Sequence, residues 1–272
     1  MNPTVHKSFR KTLHYVKKEL VTIVIPIHKT EPSDLEKISL GQTLKVLNKY
    51  PITFQATEGL DVSWYENFCA GKATIRFERF EWNGFKEYTD LMLNPEFYWR
   101  FTNYRFILIC HLDVFVFRNE LEKWCNAGYD YVGSVIYNTA WAKLPTRLGK
   151  LLMLRKPDYV ANGGFGLRNV DAFISLTSSL LVRAKLNIWK RRYKFYQDDI
   201  FLSQLFPTIK HRFKIPPKEI AQQFGAAFEH WDEKKIPFTP DNEASLPFGV
   251  HGWFAYNFDY WKPSIRAHGH VV

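Results

Sequence analysis

The chain has 272 residues, enough for one large domain with a substantial core, and 46% of them are hydrophobic, which excludes a disordered polymer. Lys and Arg outnumber Asp and Glu by 37 to 27, a net charge of +10, which points to an anionic partner and says nothing of fold. The three cysteines, Cys69, Cys110 and Cys125, are odd in number and lack CxxC spacing, which excludes a disulfide scaffold or a structural zinc knot and implies a reducing compartment.

In chain order, residues 1–19 read as a basic helix or arm, suited to an anionic membrane surface. There is no apolar leader and no run long enough to span a bilayer, so the expectation is a cytoplasmic protein, with peripheral contact at the inner membrane face. Leu20–Ile27 is a β-branched run of the kind buried in a parallel sheet, and Pro32-Ser33-Asp34 opens a helix over Leu35–Asn48. Ile52–Ala56 completes a β-α-β start, Thr74–Phe80 is a third strand, and Phe85–Arg100 is helical with an interruption at Asn94-Pro95. Arg105–Cys110 (RFILIC) is the strongest strand signal, followed by a short helix at Glu120–Asn126 and a strand at Tyr129–Val135. Tyr137–Asp158 reads as a basic loop and Ala161–Arg168 as a glycine-rich turn. Helices are expected over Val170–Leu186 and Ile200–Phe206, separated by a basic stretch, and Lys218–Phe228 is a helix or a helix followed by a strand. The aromatic tail carries Pro247–Trp253. No repeat or linker divides residues 20–272, so they form one domain: an α/β, Rossmann-like fold with a mixed, mostly parallel sheet flanked by helices.

Four groups of residues can carry chemistry. Asp113 stands just past the strongest strand, where ligands of open α/β sheets bind; it either holds a divalent cation against a diphosphate, caps a helix, or pairs with an arginine. Asn162-Gly163-Gly164 either lets backbone approach a ligand or is an ordinary loop, and its spacing is not a dinucleotide fingerprint. Asp198-Asp199 is either an acid–base pair or a helix N-cap. His251, flanked by Gly249 and Gly252 with Trp253 beside it, is a metal or phosphate ligand or a structural histidine.

The ordered set VTIVIPIHK, YRFILICHLDVFVFRNELEKWCNAGYDYVGS, NGGFGLRNV, QDDIFLSQ and PFGVHGW resembles an uncharacterised bacterial family, a domain of unknown function related to glycosyltransferases of the GT-A fold. The resemblance implies a nucleotide-sugar-dependent transferase. Pro26, Ile27 and His28 then open the nucleotide pocket. His111-Leu112-Asp113 takes the place of the Asp-x-Asp metal motif with one carboxylate missing, and the other register would pair Asp113 with Phe115. Mn²⁺ or Mg²⁺ would be held by Asp113 and His251. Asn162, Gly163, Gly164 and Trp253 would contact the sugar and acceptor, and Asp198-Asp199 would be the acidic pair of an inverting enzyme, with Asp199 as general base. The implied partners are a nucleotide sugar and a glycan or lipid-linked glycan. No nucleic-acid module is present, so no nucleic acid is expected. A non-catalytic sugar-binding relative of the same fold is the alternative.

Overall fold

The computed structural model describes residues 18–136, 159–193, 196–227 and 238–272. The expected loop 137–158 lies outside them, as does the expected basic arm up to residue 17; Glu19 already opens the first strand.

The chain alternates strands and helices: β1 (Glu19–Ile27), α1 (Asp34–Leu47), β2 (Ile52–Thr57), α2 (Ser63–Cys69), β3 (Ile75–Phe80), α3 (Gly84–Met92), α4 (Pro95–Trp99), β4 (Tyr104–Cys110) and β5 (Val114–Val116). There follow α5 (Leu121–Cys125), β6 (Tyr131–Ile136), β7 (Val160–Asn169), α6 (Val170–Ser178), α7 (Leu180–Arg192), α8 (Asp198–Ile209), α9 (Lys218–Phe224), β8 (Gly225–Ala227), β9 (Gly249–His251) and α10 (Phe258–Ala267). The strands form one sheet in the order β3-β2-β1-β4-β7-β6-β8-β9-β5. Pairing is parallel except at β4–β7, β6–β7 and β5–β9, so the sheet is mixed and mostly parallel, as expected.

Strand side chains alternate between faces, and each face has its own core. Along β4, Ile107 and Ile109 join the core under α3, α4, α6, α7 and α8, while Phe106, Leu108 and Cys110 join the core under α1, α2 and α5. That two-sided burial is why β1 and β4 read as unbroken apolar runs. A third core gathers Phe115, Val250, Trp253 and Trp261 where α10 covers the β5–β9 edge. Cys69, Cys110 and Cys125 are all buried and free.

Local signals fix several boundaries. Ser33 accepts from the Glu36 amide and Glu36 accepts from the Ser33 amide, a reciprocal cap that starts α1. Asn94 accepts from the Glu96 amide, so Asn94-Pro95 ends one helix and caps the next.

Two expectations are corrected. Ala161–Arg168 is not a turn but the interior of β7, between β4 and β6. Glycine is tolerated there because side chains approach it closely: a Cβ on Gly166 would sit 3.2 Å from the ring of Tyr131. The expected single helix from Val170 breaks at Ser179, whose extended backbone separates α6 from α7.

Candidate functional site

Strand order reverses sense between β1 and β4: β2 and β3 lie beyond β1, and the later strands lie beyond β4. In open α/β sheets ligands bind at such a switch, outside the carboxyl ends of the strands. Pro26 and His28 at the end of β1, and His111, Leu112 and Asp113 at the end of β4, line a cleft of about 370 Å³ there. Glu36, Trp82, Gly84, Phe85, Tyr88 and Phe254 complete its wall. Ile27, expected in the pocket, turns its side chain into the core.

The turn from 111 to 114 is anchored through its backbone. The His111 amide donates to the Gly164 carbonyl at 2.9 Å, the Val114 amide donates to the His111 carbonyl, and the Gly252 amide donates to the Asp113 carbonyl. This ties β4 to β7 and to the chain just past β9. His111, Asp113 and His251 consequently offer ligand atoms that all lie within 4.8 Å of one another. His251 Nε2 is 3.2 Å from Asp113 Oδ1, yet that buried oxygen makes no aligned hydrogen bond. On the other side, His111 Nε2 is held by the Tyr88 hydroxyl at 2.8 Å, the kind of outer bond that orients a metal-binding imidazole.

Protonation fits the same use. Burial and then the neighbouring His251 push the His111 pKa down to about 3, so the ring is neutral at neutral pH. Burial alone would raise the Asp113 carboxyl, but the attraction of His251 and His111 outweighs it and holds it down at about 2. Two imidazoles and one ionised carboxylate fit a divalent cation. Two imidazole donors are a poor match for Mg²⁺, which takes oxygen ligands, and a better one for a first-row transition ion, of which Mn²⁺ is the hardest.

Gly164 lies against this cluster. A Cβ there would stand 2.3 Å from His251 Nε2, so only glycine leaves the imidazole its place. The register between β6 and β7 slips across the segment from Asn162 to Gly166, a bulge that pushes the glycines toward the site. The Gly164 amide donates to Asn162 Oδ1 at 2.9 Å.

Asp198 and Asp199 open α8 on the other side of the same bulge. Asp199 Oδ2 accepts from Asn162 Nδ2 at 3.2 Å and from the Gly163 amide at 3.4 Å, and Oδ1 accepts from the Ile200 amide at 2.7 Å. Asp198 Oδ2 is bound at 3.1 Å to the guanidinium of Arg168, which also donates to the Tyr98 hydroxyl at 2.6 Å. Asp113 and Asp199 thus flank one glycine bulge rather than opposite sides of the molecule.

Trp253, expected to contact a sugar, is fully buried; it packs against Phe115 and Phe254, and its indole N–H donates to Ser39 Oγ. It has no face to offer a ligand. Sequence reading missed Tyr88 and Arg168. Reading Ala161–Arg168 as a strand would have found Arg168, which follows Gly166 at the period-two spacing of one strand face and lies over Tyr131. Tyr88 reaches His111 across 23 residues with no local signal.

A family model described as a protein of unknown function, DUF5672, matches residues 74–251. No curated protein sequence matches the chain. Among solved structures, mouse xyloside xylosyltransferase 1 superposes with a TM-score of 0.58 at 11% identity, covering 85% of this chain and 97% of that one. The galactosyltransferase LgtC, in complex with donor and acceptor sugar analogues, gives 0.57 at 12% identity, covering 92% and 97%. The bifunctional glycosyltransferase WbbM gives 0.54 at 11% identity, covering 97% of this chain and 50% of that one.

Proposed function

The chain belongs to the DUF5672 family, and we propose that it is a glycosyltransferase that moves a sugar from a nucleotide-sugar donor to a hydroxyl of a glycan or lipid-linked glycan, with inversion. The observation that carries this reading is the convergence of His111, Asp113 and His251 beside a cleft at the sheet's switch point. Its structural neighbours, enzymes that transfer sugars, support the same reaction class.

In this reading Pro26, His28 and Trp82 border the nucleotide, and His111, Asp113 and His251 hold a divalent cation, Mn²⁺ in preference to Mg²⁺. When bound, the cation supplies positive charge against the diphosphate leaving group. Asn162, Gly163 and Gly164 border the transferred sugar. Asp199 accepts the proton of the acceptor hydroxyl as its oxygen bonds to the anomeric carbon and the bond to the diphosphate breaks on the opposite face. Asp199 is favoured over Asp198 because Asp198 is tied to the buried Arg168, whereas Asp199 accepts from Asn162, Gly163 and Ile200 at the glycine bulge itself.

The test is a panel of nucleotide sugars assayed with and without Mn²⁺ for thermal stabilisation and for release of nucleoside diphosphate. One donor is expected to stabilise the protein and to be consumed, both only with the metal, and Asp113→Asn removes both effects. A panel in which no donor binds refutes the reading. A second reading, a binder without transfer, is favoured by His111 standing where a second carboxylate is expected. Binding without turnover under any acceptor would select it.

A further inference from the structure

Among the described residues, seven large hydrophobic side chains are conspicuously exposed, and four of them lie on or beside one helix. Leu180 is 82% exposed, Leu181 58% and Ile188 47%, all on α7, and Trp99 at the end of α4 is 52% exposed. The helix does not lack a core face. Val182, Leu186 and Trp189 form a buried stripe along it. Leu180, Ala184 and Ile188 recur every four residues on the opposite side, with Leu181 next to them. Trp99 lies at the flank of the helix, in a hollow with Arg183, Asn187 and Lys190 that Asp90 and Glu96 also line.

The charge of α7 is as uneven as its hydrophobicity. Residues 180–192 carry Arg183, Lys185, Lys190, Arg191 and Arg192 and no acid. Lys190 is ion-paired with Asp90. Arg183, Arg191 and Arg192 are exposed around the apolar stripe. An ordinary surface helix turns polar residues outward. A second apolar stripe, outward and edged by cations, is the pattern of a helix that lies in the plane of a membrane interface. Tryptophan at the margin is the residue favoured at that depth. No helix among the described residues is long and apolar enough to cross a membrane, so the contact would be with one leaflet.

We propose that α7, with Trp99, is a docking surface for a bilayer that displays anionic lipid head groups. The stripe enters the head-group boundary and the arginines meet the negative surface. On the buried side of the same helix, Trp189 packs against Phe201 of α8, whose first turn holds Asp198 and Asp199. Docking therefore holds the carboxylates on an element braced against the membrane-facing one. The inference does not rest on the transferase reading, because it concerns binding alone.

The experiment is sedimentation of the full chain with phosphatidylcholine vesicles, with and without phosphatidylglycerol, and without any nucleotide sugar. Binding is expected only to the anionic vesicles and is expected to fall steeply with added salt. Leu180→Ser combined with Ile188→Ser should weaken it by about tenfold or more. Arg191→Gln combined with Arg192→Gln should weaken it by roughly fivefold per arginine. All four positions are exposed, so both double variants should keep the wild-type melting temperature. Anionic binding that both double variants retain in full overturns the proposal, as does wild-type binding indifferent to phosphatidylglycerol. A vesicle-free dimer that the Leu180/Ile188 variant turns into a monomer assigns the face to a second copy of the chain and also overturns it.

Discussion

Arg168 and Asp198 form a 3.1 Å ion pair inside the molecule, and the guanidinium is wholly shielded from water. The pair is adjacent to the bulge on β7: a Cβ on Gly163 would lie 3.0 Å from Arg168 Nη2 and 3.2 Å from Asp198 Oδ2. Breaking a buried pair by removing one partner strands the other charge. Arg168→Met should therefore cost about 3–5 kcal/mol of stability. Arg168→Met with Asp198→Asn should recover a large part of it. Urea denaturation of the single and double variants measures both, and a double variant no more stable than Arg168→Met would remove the charge argument.

Gly164→Ala tests the approach of the His251 ring. The added methyl occupies the space of Nε2, 2.3 Å away, so the imidazole must leave Asp113. The expected outcome is a folded protein, destabilised by about 1–3 kcal/mol as overpacked sites are, that no longer shows Mn²⁺-dependent stabilisation. Isothermal titration with Mn²⁺ reads the loss directly. Wild-type affinity in this variant would mean that His251 is no ligand.

Asp199→Asn and Asp198→Asn should fail differently. In Asp199→Asn one carboxylate oxygen becomes an amide that faces N–H donors, from Ile200 on one side or Asn162 and Gly163 on the other. Stability should fall by about 1–3 kcal/mol. Turnover should fall by about 10²–10⁴, the scale of a lost general base, with donor affinity nearly unchanged. Asp198→Asn should chiefly cost stability, because it abandons Arg168. Single-turnover kinetics with donor titration separates the two, and equal turnover loss in both variants would contradict the assignment.

His270 supplies a pH dependence away from the site. Its Nε2 lies 2.9 Å from Gln42 Oε1, and Gln42 donates to the Val116 carbonyl, so the ring presents N–H to Gln42 and closes the chain end over β5. Burial, then Lys45 and His268, lower its pKa. A histidine that resists protonation when folded adds stability that is complete above its unfolded pKa of about 6.5 and is lost as the pH falls toward the folded value. Melting temperature should therefore decline from pH 7.5 to 5, and His270→Gln should flatten that part of the curve. A slope unchanged in the variant would place the effect in other groups.

How much of this was legible in the sequence follows from what each segment buries. β1 and β4 were legible because both faces are covered, which leaves a plain apolar run, and α1 was legible because Ser33 and Glu36 mark its start. β7 was misread because glycine normally signals a turn, whereas here glycines make room for Tyr131, His251 and the Arg168–Asp198 pair. That requirement is set by distant residues and leaves no local trace. β5, β8 and β9 have three residues each, too few for a period to emerge. Asp113 and His251 stand out in the sequence as candidate ligands, one past a strand end and one in a glycine turn, but that His111 joins them in space is set by the fold. Trp253 was not legible as core, because its surroundings come from α1, β5 and the tail.

The place of β7 between β4 and β6 also bears on how the chain is made. β4 is complete at Cys110, but its neighbour on that side begins only at Val160. During synthesis the nascent chain therefore presents RFILIC with one row of backbone donors and acceptors unpaired, a template for a second nascent chain. Arg105 at the start and His111 just past the end are the polar residues that bracket this edge, and only the pairing of β7, complete at Asn169, covers it.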